Sequence, residues 1–133
     1  MMALNDEAEE VPAMVPLLVK IAQSPRIGLS VLEVTGEMIA EDARLNMWIL
    51  ERKSSIGAVA LWNLVGLRSE VKDAINRAWN EHENSADSSE RVQRTENLLA
   101  VFRSGLDRIR QVRATGVVDY EDPDMPPEIA ELG

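Results

Sequence analysis

Apolar residues recur along this chain at helical spacing, and one stretch is apolar on every side. From Ser55 to Leu67 the sequence Ser-Ile-Gly-Ala-Val-Ala-Leu-Trp-Asn-Leu-Val-Gly-Leu offers water almost nothing, so the remaining elements must enclose it. Ile56, Ala60, Leu64, Leu67, Val71, Ala74 or Ile75, Ala78 and His82 continue one face of a helix. Up to Leu67 the opposite face holds Leu61, Trp62 and Val65, which predicts neighbours all round. From Arg68 onward that face becomes Arg68, Lys72, Asp73, Arg77 and Glu81, which predicts water. Gly66 and Ser69 leave open whether residues 56–83 make one kinked helix or two.

Further helices flank this centre. Pro12 to Gln23 sets Leu17, Leu18 and Ile21 on one side and stops at Ser24-Pro25, because proline pushes the residue before it out of the helical region. Ser30-Val31-Leu32-Glu33 fits a capping box and opens a second helix. Its inner row is Val31 or Leu32, Thr35, Met38 or Ile39, Asp42 or Ala43, Leu45 or Asn46, and Ile49, with Glu33, Glu37, Glu41 and Arg44 outside. β-Branched Val31, Val34 and Thr35 beside Gly36 would suit a strand, but the 3.6-residue pattern runs on into Trp48-Ile49-Leu50 and decides for helix. Ser54-Ser55 can cap the next one. Asp87, three residues before Glu90, caps the last helix. Its stripe runs Val92, Thr95, Leu99, Phe102, Leu106 and Ile109, is widened by Leu98, Gly105 and Val112, and ends at Thr115-Gly116.

No segment alternates with period two over strand length. The pattern therefore predicts an all-α fold, a four- to five-helix up-and-down or irregular bundle over residues 12–115. Acidic, flexible tails are expected at both ends, residues 1–11 and the proline-containing 116–133.

Composition narrows the picture. A chain of 133 residues, 45% hydrophobic, suffices for one domain with a core. Of the net charge of -9, the two ends carry -4 and -6, so the middle is close to neutral at +1. The absence of cysteine excludes disulfides, thiolate metal sites and cysteine nucleophiles. No secretory-signal pattern opens the sequence, and its longest apolar stretch falls short of the ~20 residues a membrane span needs, so a cytoplasmic protein without membrane attachment is expected.

Candidate chemistry is sparse. Glu33, Glu37 and Glu41 share a helix face and could converge on a hard cation, but the Glu-x-x-His pairs of di-iron bundles are missing. His82 lies between Glu81 and Glu83 near a helix end, where a protonated imidazole also suits the negative end of the helix dipole. Neither nucleotide fingerprint is present, and no cofactor is expected. Arg103, Arg110 and Arg113, within the arginine-bearing last helix, are the nucleic-acid candidates, opposed by the overall acidity. The favoured expectation is a non-enzymatic helical interaction protein (an adaptor, inhibitor, immunity or assembly factor) that binds another protein and forms a homodimer. Nucleic acid is an unfavoured partner. Trp48, Trp79, Leu99, Phe102, Leu106, Ile129 and Leu132 are its candidate contact residues. A carboxylate and histidine metal-binding or catalytic bundle is the remaining alternative.

Overall fold

The computed structural model describes residues 14–132; the expected acidic segment 1–11 lies outside the described residues. Among the described residues five helices follow in order: α1 Val15–Ala22, α2 Leu29–Arg52, α3 Ala58–Glu83, α4 Ser88–Thr115 and α5 Pro127–Glu131. Among the described residues there is no strand, and the fold is an all-α bundle.

Local chemistry sets most of the boundaries. Pro16 stands in the first turn of α1, where a missing N–H costs nothing, and Leu17, Leu18 and Ile21 are buried. α2 starts ahead of the predicted capping box: Gly28 is its N-cap, no side chain caps it, and Ser30 and Glu33 are exposed within the helix. Ser55 likewise does not cap α3, which begins after Gly57; its hydroxyl donates to the Arg52 carbonyl at 3.2 Å and closes the preceding turn. α3 runs unbroken through Gly66 and Ser69. α4 opens as predicted, with Asp87 Oδ1 accepting from the Glu90 amide at 2.8 Å and Glu90 Oε2 accepting from the Ala86 amide at 2.9 Å. It ends on Gly116, whose φ of 70° suits a residue without a side chain, and whose amide reaches the Val112 carbonyl at 2.7 Å.

α4 is the spine of the bundle. It packs along both α2 and α3, while α1 lies on α2. Pairings along the chain make α4 parallel to α2 and antiparallel to α3: Met38 and Val71 both converge on Gly105, and Arg108 and Arg94 reach Glu70 and Glu81. A Cβ at Gly105 would stand 2.8 Å from Val71 Cγ1 and 3.1 Å from Met38 Cε, so glycine is what lets α4 approach both neighbours at once. α2 and α3 are tied instead by a buried ion pair. Arg68 donates through Nε at 3.0 Å and Nη2 at 2.6 Å to Asp42 Oδ1, and Asp42 Oδ2 accepts the Met14 amide at 3.0 Å.

Contact with two helices moves the buried sector of α4. Leu98, Phe102, Gly105, Leu106, Ile109 and Val112 are buried, whereas Val92 is 61% exposed and Leu99 half-buried. The predicted line is thus core in its second half, where Phe102, Leu106 and Ile109 are buried together with the widening residues Leu98, Gly105 and Val112, and its first half, Val92, Thr95 and Leu99, lies at the edge of the buried face.

Past Gly116 the chain corrects the expectation of a detached tail. Residues 117–132 lie against α3 as a strap. The Tyr120 ring sits on Gly66, Trp62 Nε1 donates to Asp122 Oδ2 at 2.7 Å, and the Asp122 amide donates to Asn63 Oδ1 at 2.9 Å. Ile129 on α5 is buried. This strap supplies the neighbours that the all-round apolar half of α3 demands.

Candidate contact groove beside Trp48

The carboxylate row of α2 and the arginine row of α4 face each other. Parallel packing brings the second half of α2 beside the last turns of α4, so Glu41 belongs to the seam rather than the outer face. Its side chain is 5% exposed; Oε2 accepts from Arg113 Nη1 at 2.7 Å, and Oε1 from Arg44 Nη1 at 3.0 Å and Arg110 Nε at 3.4 Å. Arg110 Nη2 also lies 3.7 Å from Glu37. Burial pushes the Glu41 carboxyl up, but the hydrogen bonds from Arg113, Arg110 and Arg44 outweigh it and hold the group below the usual carboxylate range. Glu37 and Glu41 of the one row are in this way engaged with Arg110 and Arg113 of the other. Among the described residues no three His, Asp or Glu gather as a metal would require. Arg103 is exposed on α4.

His82 is 1% exposed and belongs to the core. Its ring stacks on Trp79, with centroids 5.4 Å apart and planes 13° from parallel, and Nε2 lies 3.1 Å from Thr95 Oγ1. The Thr95 hydroxyl already donates its one hydrogen to the Arg91 carbonyl at 2.8 Å, so Nε2 must carry the proton and donate to it. A ring so enclosed links α3 to α4.

The candidate contact residues divide. Trp79, Phe102 and Leu106 are 2%, 0% and 3% exposed and point into the core. Ile129 is buried on the strap, while Leu132 beside it is 52% exposed. Of the tryptophans, Trp62 holds the strap and Trp79 packs inside; Trp48 remains at the surface, half-buried.

Trp48 lines a groove of about 540 Å³ with Ala43, Arg44, Met47, Glu51 and Arg52 from α2 and Arg113 from α4. Positions 44, 47, 48 and 51 fall at steps of three and four, which puts them on one face of α2 beside the inner row. The Arg52 guanidinium lies 4.9 Å from the Trp48 ring centroid and donates to Glu51 Oε2 at 3.3 Å. Met47 is 56% and Leu50 40% exposed. Met47 and Arg44 were not singled out from the sequence, although their spacing from Trp48 carries the signal. The groove offers an aromatic wall, a pliable thioether and guanidinium forks, and it holds no nucleophile beside a base. These are side chains suited to contact with another polar and apolar surface.

Compared with known protein families, curated proteins and solved structures, the chain matches none. Among the described residues no helix is long and apolar enough to cross a membrane.

Proposed function

We propose that this chain is a non-enzymatic helical protein-binding module of the cytoplasm, an adaptor, inhibitor, immunity or assembly factor, whose contact face is the α2 groove around Trp48. The observation that carries the reading is the placement of Trp48: packed on the core at one side, it lines an open groove next to exposed Met47, whereas Trp79 is buried and Trp62 holds Asp122. Tryptophan, methionine and arginine are the side chains enriched where protein surfaces meet.

The alternatives lose part of their residues to internal contacts, although Arg103 and Glu33 stay exposed. Arg110 and Arg113 of the nucleic-acid reading neutralise Glu41, and Glu41 and His82 of the catalytic reading are buried and partnered. The homodimer expectation rested on the breadth of the α4 stripe, and that breadth is taken up by α2 and α3.

The test is cross-linked capture from the source cell with the wild type, Met47→Asp and Ala43→Glu, both in the lining of the groove. Both substitutions are at exposed positions, so the helical signal and melting temperature stay near the wild type. Loss of the same captured protein from both variants is the expected result; a protein retained equally by all three would overturn the assignment of this face.

A further inference from the structure

The seat of the strap has the features of a recognition surface in its own right. Trp62 and Asn63 stand side by side on α3 and present one donor and one acceptor outward, and both are used by Asp122: its carboxylate takes the indole N–H and its own amide reaches the Asn63 carbonyl oxygen. One turn further, Gly66 gives a flat landing for the Tyr120 ring; a Cβ there would stand 2.8 Å from Tyr120 Cε2. At the far end the single turn of α5 inserts Ile129. Tyrosine, a one-residue spacer, aspartate and then an apolar turn are thus read by distinct features of α3.

The strap is at the same time lightly held. Between Gly116 and Pro126 the backbone hydrogen bonds to other elements found among the described residues are that of the Asp122 amide and that of the Val117 amide, which reaches Thr115 Oγ1 at the end of α4 at 3.2 Å; the other backbone contacts are local: Asp124 N to Asp122 Oδ1 at 3.0 Å and Met125 N to the Asp122 carbonyl at 3.2 Å. Val117, next to the hinge at Gly116, is 64% exposed. Segments with few buried contacts open at much lower free energy than the core that carries them.

We propose that this face of α3 is a peptide-binding surface, filled in cis by residues 117–132 and open to a partner segment of the same chemistry, an aromatic residue two positions before an aspartate and followed by an apolar turn. The own strap competes at an effective concentration on the order of millimolar, so it sets a threshold that a partner must exceed. This surface shares no residue with the α2 groove, and either can fail alone.

The probe is a labelled peptide of residues 117–132, added to the full-length chain and followed by fluorescence anisotropy. Wild-type chain binds it weakly because the seat is filled. Tyr120→Ala with Asp122→Ala in the chain frees the seat, and peptide affinity rises at least tenfold, on the scale of one hydrogen bond to a charged group. Adding Trp62→Phe, which keeps the ring and removes the N–H, cancels the gain. Unchanged peptide affinity in folded strap variants overturns the proposal, and so does a loss of helical signal in them, since the strap would then be core. On the wild type itself, hydrogen exchange gives an independent reading: the Asp122 amide exchanges at least a hundredfold faster than the amides of Leu64 and Leu67, and equal protection refutes a strap that opens.

Discussion

Replacing Asp42 by asparagine tests how the bundle is tied together. Asp42 and Arg68 are each 1% exposed, and the carboxylate carries three bonds, two to the guanidinium through Oδ1 and one to the Met14 amide through Oδ2. Asparagine has one carbonyl oxygen where the aspartate has two, so it cannot serve Arg68 and Met14 together, and its amide nitrogen turns donors toward one of them. Arg68 is left charged in a dry setting. At an effective dielectric of about 20 and about 4 Å between charge centres, the lost attraction is about 4 kcal/mol, and one-sided removal of buried pairs costs about 3–5 kcal/mol. Against a total stability of about 5–15 kcal/mol this is a large fraction, and it lowers the melting temperature by roughly 15 °C. Urea titration followed by circular dichroism reads the loss as a lower midpoint at unchanged slope. The companion double variant, Asp42→Leu with Arg68→Met, removes both charges and leaves only the Met14 amide unpaired, a cost of about 1–3 kcal/mol. Its loss is therefore smaller than either single variant's. A double variant as unstable as the two single losses added, or an Asp42→Asn protein within about 1 kcal/mol of the wild type, would refute the view that α2 and α3 depend on this pair.

Other outcomes follow from the same geometry. Glu41→Gln lowers stability at neutral pH by about 2–3 kcal/mol, because three arginines lose their carboxylate. Since the folded-state pKa of Glu41 lies below its ordinary 4.5, that contribution is present in full above 4.5 and fades as pH falls through the depressed value; melting curves of wild type and variant should converge in acid, and a pH-independent gap would contradict it. Gly105→Ala destabilises by about 1–2 kcal/mol, as the clash with the stiff Val71 side chain exceeds the gain in helix propensity. Gly36→Ala, which meets nothing within 4 Å, instead stabilises by about 0.5–1 kcal/mol, and thermal melts of the pair should move in opposite directions. Asp87→Ala removes the one side-chain cap on α4 and costs about 1 kcal/mol in the same assay.

Periodicity made the helices legible, and Asp87, Glu90 and Gly116 marked the ends of α4, because these are local signals that act within a few residues. Ser30 and Ser55 misled for the same reason. Their caps would have competed with glycines at 28 and 57 that already hold extended backbone, φ -84°, ψ 172° and φ -66°, ψ 154°, just ahead of each helix. Glu41 could not be placed from the chain alone, since its burial depends on α4 running parallel to α2 and delivering Arg110 and Arg113. The strap was missed because an extended segment needs no period to pack; the clue was on the other side, in the surplus apolar flank of Leu61, Trp62 and Val65 that had no stated partner. Of the contact candidates, Trp48 was legible as lying beside the inner row, whereas Trp79 was drawn inward by its stack on His82.

The strap comes later in the chain than the α3 face it covers, and that order has a consequence for biosynthesis. A ribosome makes the chain from its amino end at about 5–20 residues per second, so Trp62 and its neighbours emerge and coil well before the segment that will dry them has been translated. For those seconds the nascent bundle shows a greasy flank, open to chaperones or to a second nascent chain on the same message. The segment that closes it is translated after the surface it covers.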